Sequence, residues 1–454
     1  MGTTTLSLSG REVRADGQTR YVAPTGSDSN PGTEALPWRT IQKAADTLVA
    51  GDTVYIKAGT YHERVIAQNS GNASGAITYA AYPGATVTID GSGITLPVDQ
   101  AGLFEVSNKS HIRISGLRVI NARPNADNAG ILINNSSYIT VEKNSTYNTM
   151  SSGIGVWGSD HVVIDGNTVV LACNGGFQEC ITIAGTDTFE VKNNEVDQCR
   201  KESIDAKDGA SNGKVYRNHA HDGVAVGIYV DAWDKHTFNI EVFQNVVHDI
   251  NADGFDVASE MGGLLENVSI YNNIAYHNRY VGAVISINGP GGAQGRPMNG
   301  VYVINNTFYN NGWETWGGGI AVDNPDAESV VIRNNIASQN LYFQMVVDAS
   351  MPAQNVTIDH NLIDGYRGTE GETRGVDYVE GSPLFVNAAS ADFHLQGNSP
   401  AIDAGSATGA PGNDFAGTLR PQDGDDDGAA AYDIGAYERP HFTNWVYLPI
   451  LIKH

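Results

Sequence analysis

The amino-acid sequence predicts an all-β chain that winds into a right-handed parallel β-helix, a solenoid of about ten or more coils. The main observation is a pattern of alternating apolar residues that ends in asparagine, as in ITVEKN, VVIDGN and VTIDHN. Each unit holds two or three short strands without a helical period. The units lack a leucine framework and are too short for propeller blades. The asparagines recur at steps of 23 to 33 residues, and they are Asn144, Asn167, Asn194, Asn218, Asn245, Asn273, Asn306, Asn335 and Asn361.

Stacked coils bury their inward apolar side chains against the coils above and below. We expect the repeated asparagines to stack at one turn as a hydrogen-bonded ladder. The ends of such a solenoid would expose unpaired strand edges and therefore need caps. The stretch PWRTIQKAADTLVAG (37–51) predicts an amphipathic N-terminal capping helix, with helical spacing of Ile41, Ala44, Ala45 and Leu48.

The composition shifts along the chain predict five segments. They are a disordered or processed lead-in (1–19), an N-terminal cap with the first coil (20–67), the parallel β-helix (68–379), a C-terminal cap (380–440) and an apolar tail (441–454).

The charge balance limits the partners that the chain can bind. The 454 residues include 51 acidic and 27 basic side chains, which gives a net charge of −24. This charge argues against a nucleic-acid partner and is compatible with cations such as calcium. No apolar run is long enough to predict a membrane span. We expect the chain to be a monomer.

Three cysteines are too few and too uneven in number for a disulfide scaffold. Cys173 follows Asn167 by six residues and Cys199 follows Asn194 by five. This spacing predicts that the two lie on neighbouring coils and form a disulfide, with Cys180 left as a free thiol.

A second strand aligns across the coils as GIGVW, CITIA, SIDAK, GIYVD and GFDVA. Alternation turns its isoleucines and valines inward and its other residues outward, in columns spaced by about 4.8 Å per coil. The outward columns hold first Glu179, Glu202 and Asp253, then Asp205, Tyr229 and Asp256, then Lys207 and Asp231, with Asp208, Asp234 and Glu260 at the turn.

This concentration of acids fits a catalytic site, a structural calcium site or a solvated acidic face. In the first case the catalytic groups are Glu202, Asp205, Lys207, Tyr229, Asp231 and Asp256. Hard oxygen ligands suit calcium, and the candidate ligands are Glu202, Asp205, Asp231, Asp253 and Asp256. The candidate substrate contacts are Trp233, Asp234, Glu260, His221 and His248.

Two further motifs have two interpretations each. His221-Asp222 and His248-Asp249 occupy equivalent positions, so they either flank the groove as acid and base groups or stack as turn residues. The stretch DGDDDG (423–428) begins like a calcium loop but has Ile434 at the twelfth position, so it is a calcium loop or a solvated turn.

Both ends of the chain resemble a known superfamily. The stretches YVAPTGSDSNPGTEALPWRTIQKA, GDTVYIKAGTYHE and SPAIDAG…YDIGAYERP resemble secreted β-helix proteins of the pectate-lyase-like superfamily, and the ending is similar to that of polysaccharide lyase family nine. The resemblance implies a secreted protein and a β-helix.

Two shorter stretches resemble lyase motifs. ESIDAKDGASNGKVYRN is similar to polysaccharide lyase family six, the alginate lyases and chondroitinase B, which implies Glu202 as a calcium ligand and Lys207 as the base. That family has an arginine on the next coil, where this chain has Asp231. ADGFD (252–256) is similar to the calcium-ligand motif of family nine, but the lysine there follows the aspartates and Lys207 precedes them.

Three functions follow from these residues. We expect a secreted enzyme that cleaves a polysaccharide, with calcium-assisted β-elimination on a polyuronate as the preferred reaction. A glycoside hydrolase needs only two carboxyls, and Asp205 and Asp256 are predicted to lie about 9.6 Å apart, near the separation of inverting enzymes. A non-catalytic glycan-binding β-helix is the third.

Overall fold

A computed structural model describes residues 17–289, 295–314 and 316–441 of the chain. Three parallel sheets of 13, 13 and 11 strands run along the molecule, and each coil contributes one strand to each sheet in turn. This confirms a solenoid of ten or more coils. The predicted lead-in before residue 17 and the apolar tail after residue 441 lie outside the described residues.

We number the sheets in the order in which a coil enters them. Sheet 1 contains the strands Thr19–Val22, Thr53–Ile56, Ile77–Ala81, Ser110–Ser115, Ser137–Glu142, Asp160–Asp165, Asp187–Lys192, Ser211–Tyr216, Thr237–Phe243, Leu265–Tyr271, Met298–Ile304, Ala327–Arg333 and Val356–Asp359. Sheet 2 contains Gly59–Tyr61, Val87–Asp90, Leu117–Ile120, Ser145–Tyr147, Thr168–Val170, Glu195–Asp197, His219–His221, Val246–His248, Ile274–Tyr276, Thr307–Tyr309, Ile336–Ser338, Leu362–Asp364 and Val379–Glu380. Sheet 3 contains Val65–Ile66, Ala101–Ser107, Asn128–Asn134, Ile154–Trp157, Ile181–Ala184, Ile204–Lys207, Ile228–Asp231, Phe255–Ala258, Val281–Ser286, Gly318–Val322 and Phe343–Val347.

The predicted asparagine ladder lies at the turn between sheets 1 and 2. The side-chain amide of Asn194 donates to Oδ1 of Asn218 at 3.0 Å, and that of Asn218 donates to Oδ1 of Asn245 at 3.0 Å. The pattern extends from Asn144 to Asn361, and all nine side chains are buried. The ladder therefore satisfies the polar groups that the turn buries.

Left-handed backbone before each ladder residue makes this turn. Arg217 and Gln244, for example, have φ values of 54° and 55°. One residue in this conformation turns the chain sharply between two strands. The sequence pattern therefore ends each sheet 1 strand at the same place in every coil.

The interior is filled by the inward residues of the three sheets. In sheet 3, Ile181, Ile183, Ile204, Ile228 and Val230 are buried, as the alternation predicts. The same alternation directs the residues between them to the outer face. The core therefore positions the outer columns that form the candidate site.

The N-terminal capping helix is shorter than predicted. It spans Ile41–Thr47, whereas the sequence predicts 37–51. Thr40 is the N-cap, and its hydroxyl accepts a hydrogen bond from the backbone N–H of Lys43. Leu48 is already extended, with ψ of 144°, and packs in the core.

The C-terminal segment departs from the coil pattern. It contains an antiparallel hairpin of Phe385–Asn387 and Asp392–Leu395, and the short 3₁₀ helix Ala388–Ser390 lies between its strands. Another short 3₁₀ helix, Ala353–Asn355, precedes the last strand of sheet 1. The guanidinium of Arg420 pairs with the carboxylate of Glu438 at 3.0 Å, and both side chains are fully buried.

The predicted disulfide is wrong in one partner. Cys180 bonds to Cys199, with their Cα atoms 6.0 Å apart, and Cys173 is a buried free thiol. All three sulfur atoms lie within 4.8 Å of one another. The connection that contains Cys173 is longer than the one that contains Cys199, and it returns the chain so that Cys180, at its end, meets Cys199.

None of the described helices is long enough and apolar enough to cross a membrane.

Candidate functional site

Sheet 3 carries the predicted acidic face, and its register agrees with the predicted columns. Asp205 pairs with Thr182 on the preceding coil and with Tyr229 on the next, and Tyr229 pairs with Asp256. Because strand residues alternate, these side chains share the outer face. The three rows of the predicted patch therefore lie on consecutive coils.

An open cleft of about 380 Å³ lies over the first two of these rows. The rings of Phe177 and Trp233 line it and remain exposed. Its other lining residues are Gln178, Glu179, Lys201, Glu202, Asp205, Lys207, Asp208, Tyr229, Asp231 and Glu260. Flat apolar rings beside polar groups are typical of carbohydrate contact surfaces.

Lys207 is a partly buried cation in this cleft. Its ammonium lies 2.5 Å from Oε1 of Glu179 and 3.8 Å from Oδ2 of Asp205. The other carboxylate oxygen of Glu179 accepts a hydrogen bond from the hydroxyl of Thr182 at 3.0 Å. Glu179 is therefore held in place on both sides, and it fixes the position of the ammonium.

The next coil contributes Tyr229 and Asp231. The hydroxyl of Tyr229 donates to the carboxylate of Glu260. Oδ1 of Asp231 accepts the backbone N–H of Trp233 at 2.8 Å, which closes a tight turn directly after the strand. This turn explains why Asp231 and Trp233 are brought to the same cleft.

Asp253 and Asp256 lie one coil further and do not line the cleft. Asp253 accepts the backbone N–H of Val281 at 2.9 Å, which gives it a role in the turn. Asp256 is 1% exposed, and its Oδ2 accepts from the side-chain amide of Asn288 at 2.5 Å. Asp256 continues the column of Asp205 and Tyr229 beneath the surface.

Two buried carboxylate oxygens of the acidic patch have no hydrogen-bond partner among the described residues. They are Oδ1 of Asp205 and Oδ1 of Asp256. A buried oxygen without a partner is costly, so each of these two calls for an explanation such as a catalytic role or an ion at the site.

Burial and mutual repulsion raise the pKa of the acids. The pKa of Asp231 is raised to about 8, first by burial and then by the charges of Glu260 and Asp208. Burial, followed by the charges of Asp231 and Glu179, raises the pKa of Asp205 well above its usual value. The cleft therefore contains carboxyl groups that keep their protons near neutral pH.

The other acids and the tyrosine of the patch follow the same rule. Burial, then the charge of Asp253, raises the pKa of Asp256, and burial raises the pKa of Asp253 to about 6. Burial, then the charge of Glu179, raises the pKa of Glu202, and burial, then the charge of Asp256, raises that of Tyr229.

Lys207 stays protonated in this environment. Burial lowers its pKa, but the charges of Asp205 and Glu179 outweigh burial and raise it above the ordinary value. The contact with Glu179 is shorter than the one with Asp205, so Glu179 is the closer partner of the ammonium.

The donor chemistry of the cleft fits calcium. The available ligands are carboxylate oxygens, and Oδ1 of Asp205 has no partner among the described residues. Within the described residues, however, no three of these acids bring their oxygens within 4.8 Å of one another. The ammonium of Lys207 instead lies between Glu179 and Asp205.

Three predicted substrate contacts lie outside the cleft. Asp234 is exposed at the turn and does not line the cleft. His221 and His248 lie on sheet 2, whereas the acidic face is on sheet 3. Their rings stack with centroids 5.3 Å apart, so the structure favours the interpretation as stacked residues over groups that flank the groove.

Three contributors were not assigned a role from the sequence. Glu179 was placed in the outward column, but its contact with Lys207 spans 28 residues of the chain. Asn288 follows its strand and contacts Asp256 from the next coil. Phe177 lies in the long connection before Cys180. A strong charge column could have drawn attention to Glu179, but nothing in the sequence indicates the other two.

The acidic loop DGDDDG (423–428) of the C-terminal segment packs against an aspartate from outside the loop, Asp403. Asp403, Asp423 and Asp425 bring carboxylate oxygens within 4.8 Å of one another. Asp403 also accepts the backbone N–H of Asp425 at 2.9 Å. Calcium binding at DGDDDG stays a prediction.

A larger cavity, of about 620 Å³, lies between sheet 1 and the C-terminal segment. Phe243 and Tyr271 line it, and Glu241 is its one acidic lining residue. It has no cluster of buried acids comparable to that of the cleft on sheet 3, so we do not take it as the candidate active site.

Known proteins resemble this chain in sequence and in fold. A family model described as "Pel9A-like, right handed beta helix region" matches residues 20–355. The uncharacterized protein YwoF of Bacillus subtilis (strain 168) is 27% identical over 439 residues, which cover 84% of this chain and 91% of YwoF. Pectate lyase PEL9 of Emericella nidulans is 30% identical over 157 residues, which cover 32% of this chain and 37% of PEL9.

Solved structures share the fold at low sequence identity. The crystal structure of pectate lyase Pel9A has a TM-score of 0.52 at 17% identity, covering 93% of this chain and 97% of Pel9A. The complex of XylC with xylose has a TM-score of 0.51 at 12% identity, covering 92% of this chain and 98% of XylC. The family model covers most of the chain, and the chain therefore belongs to the Pel9A-like right-handed β-helix family.

Proposed function

We propose that this protein is a secreted enzyme that cleaves a polysaccharide in the cleft of sheet 3, and that the reaction is β-elimination on a polyuronate. The observation that carries the proposal is the partly buried ammonium of Lys207, held between Glu179 and Asp205 in an open cleft. Membership of the Pel9A-like family and the partial match to pectate lyase PEL9 support the same reaction class.

β-Elimination removes the proton beside a uronate carboxylate, so it needs a base and a positive charge near that carboxylate. Lys207 is the candidate base and must lose a proton before it can act. Its pKa is raised by the carboxylates around it, so neutralising those carboxylates would lower it. The order of events is therefore neutralisation first and proton abstraction second.

Calcium is the candidate for that neutralisation. Glu179, Glu202, Asp205 and Asp231 would hold it, since they line the cleft with carboxylate oxygens. A bound calcium would supply positive charge beside the substrate carboxylate and beside Lys207. The exposed rings of Phe177 and Trp233 would then hold sugar rings on either side.

A glycoside hydrolase is the second candidate. The pKa of about 8 for Asp231 favours it, because a carboxyl that keeps its proton at neutral pH can act as a general acid. A partner carboxylate would be supplied by Glu202 or Glu260, which line the same cleft. In this reaction Lys207 only holds Glu179 and the substrate in place.

One assay separates these reactions. The protein is incubated with polyuronates and with neutral polysaccharides, with and without a calcium chelator. A lyase produces unsaturated ends, which absorb in the ultraviolet, together with reducing ends, and loses both signals with the chelator. A hydrolase produces reducing ends alone. Binding of a polysaccharide without either signal would contradict both enzymatic proposals and leave glycan binding.

A further inference from the structure

A cluster of histidines and acids lies on sheet 2, away from the acidic cleft. Glu195 pairs with His219 on the next coil, and Asp197 pairs with His221, which pairs in turn with His248. All five lie on the outer face of three consecutive coils, because the residues between them are buried in the core. Side chains from three coils therefore meet in one patch.

One ring nitrogen of each of two histidines is already held by a carboxylate. Nδ1 of His221 lies 2.8 Å from Oδ2 of Asp222, and Nδ1 of His248 lies 2.6 Å from Oδ2 of Asp249. Both aspartates follow the strand directly and have left-handed backbone, which turns their carboxylates back to the ring. This contact fixes ring orientation and leaves Nε2 as the free nitrogen, as in metal sites where a carboxylate orients a histidine ligand.

His219 lies between the other ring nitrogens and Glu195. Nε2 of His219 lies 2.7 Å from Nε2 of His248. Nε2 of His221 is buried without a hydrogen-bond partner among the described residues, and it lies 3.5 Å from Oε1 of Glu195. Ligand atoms of Glu195, His219 and His221 all lie within 4.8 Å of one another.

Hydrogen bonds alone satisfy these facing ring nitrogens poorly. Two imidazole nitrogens that face each other share a single proton, and two protonated rings would repel. Neutral imidazole nitrogens beside a carboxylate are the ligands that zinc and similar borderline metals prefer.

We propose that this patch binds one transition-metal cation of the zinc class through Glu195, His219 and His221, with His248 beside them. Zinc–nitrogen bonds of about 2.0–2.1 Å place tetrahedral ligands somewhat over 3 Å apart. Ligand atoms of Glu195, His219 and His221 already lie within 4.8 Å of one another, so small side-chain movements reach that spacing. The ion would join two consecutive coils, and it would stabilise the folded chain because the unfolded chain does not assemble the ligands.

The test measures zinc binding to the full chain after all metal has been removed. We expect one equivalent of zinc per chain after dialysis, and a tetrahedral ligand-field spectrum when cobalt replaces zinc. The double variant His219→Ala/His221→Ala should lose the bound equivalent and the spectrum. The variant Asp222→Asn keeps the ligands but loses ring orientation, so its zinc affinity should fall by about 10- to 100-fold.

The control is His236→Ala. Nε2 of His236 lies 2.9 Å from a carboxylate oxygen of Glu266 on an exposed part of sheet 1, in the same kind of histidine–carboxylate contact. This variant should bind zinc as the wild type does. Circular dichroism and the melting temperature without metal should be unchanged in all variants, because the substituted side chains lie on the outer face.

Three results would overturn the proposal. The first is that the metal-free wild type takes up no zinc. The second is that the double variant retains its equivalent, or that His236→Ala loses it. The third is that excess calcium displaces the zinc, which would place the ion among the oxygen ligands of the acidic cleft.

Discussion

The ammonium of Lys207 lies 2.5 Å from Oε1 of Glu179, which belongs to the preceding coil. This contact helps to keep the candidate base protonated, because the carboxylates of Asp205 and Glu179 raise its pKa. The same contact shows how a β-helix builds a site: residues 28 positions apart become neighbours through a constant register between coils.

Glu179→Gln should lower the pKa of Lys207, since it removes one of the three carboxylate charges that raise it. The pKa of Lys207 is then raised less in the variant than in the wild type. If Lys207 is the base, kcat/KM should therefore begin to rise at a lower pH in the variant. A pH–rate profile on a polyuronate measures this. An unchanged profile would contradict the base assignment.

The control for this substitution is Glu190→Gln. Glu190 pairs with Lys192 at the same distance of 2.5 Å, but on sheet 1. Like Glu179→Gln, this substitution removes one charge and one ion pair, but it leaves the cleft intact. Its pH–rate profile should match that of the wild type.

Asp231→Asn should stabilise the protein at alkaline pH and have little effect at pH 5. The folded-state pKa of Asp231 is about 8, above the usual aspartate value of 3.8. The folded state therefore binds the proton more tightly, and this contribution to stability is full below the unfolded pKa and is lost as pH rises through about 8. Asparagine removes that loss and can still accept the backbone N–H of Trp233.

Urea unfolding at pH 5 and at pH 9 measures the difference. We expect the variant to exceed the wild type by about 1 to 2 kcal/mol at pH 9, a gain typical of residues held for function against stability. Asp348→Asn is the control. Asp348 is exposed and its pKa is lowered by hydrogen bonds from Ser350, so no gain should follow. Equal unfolding free energies of Asp231→Asn and wild type at both pH values would contradict the raised pKa.

The disulfide yields a separate prediction. The unreduced, denatured chain should contain one titratable thiol, and alkylation followed by peptide mapping should place the label on Cys173. Replacing both Cys173 and Cys180 by serine removes the bridge and any substitute for it. Because the bridge closes a loop of 19 residues, this variant should lose about 3 kcal/mol of unfolding free energy. A label on Cys180 would instead support a Cys173–Cys199 bridge.

The sequence predicts the coils well because the asparagine pattern recurs in every unit. The sequence pattern does not predict a second ladder, Asn278–Asn311–Asn340, because this ladder spans only a few coils. The outward columns of sheet 3 can be predicted for the same reason as the first ladder. Alternation and register are periodic, so the outward residues of one coil give the positions of the outward residues on the next.

Features that depend on connection length could not be read in this way. The spacing from Asn167 and Asn194 gives the coil on which each cysteine lies, but not the path of the longer connection that returns Cys180 to Cys199. Likewise the spacing of His221 and His248 shows that they are equivalent. It does not give the direction in which sheet 2 faces relative to sheet 3. The sequence alone therefore allows the prediction that the histidines lie beside the groove.

The acidic patch itself is tested by activity. Asp205→Asn and Asp256→Asn should each reduce turnover by orders of magnitude and leave the melting temperature nearly unchanged or slightly higher, because each removes repulsion between buried acids. The two losses should be far from additive if both residues belong to one site. Asp205 lines the cleft, whereas Asp256 is buried one coil beyond Tyr229, so a loss in Asp256→Asn with a normal KM would indicate that it acts by positioning Tyr229.

The controls are Asp323→Asn and Asp348→Asn. Both follow strands of sheet 3 in the column of Asp231, on later coils, and neither lines the cleft. Burial raises the pKa of Asp323 to about 6, so it shares the raised pKa of the acidic patch without its position. Both variants should retain turnover. If they lose activity as completely as Asp205→Asn does, the active site lies further along the solenoid than the cleft at Lys207.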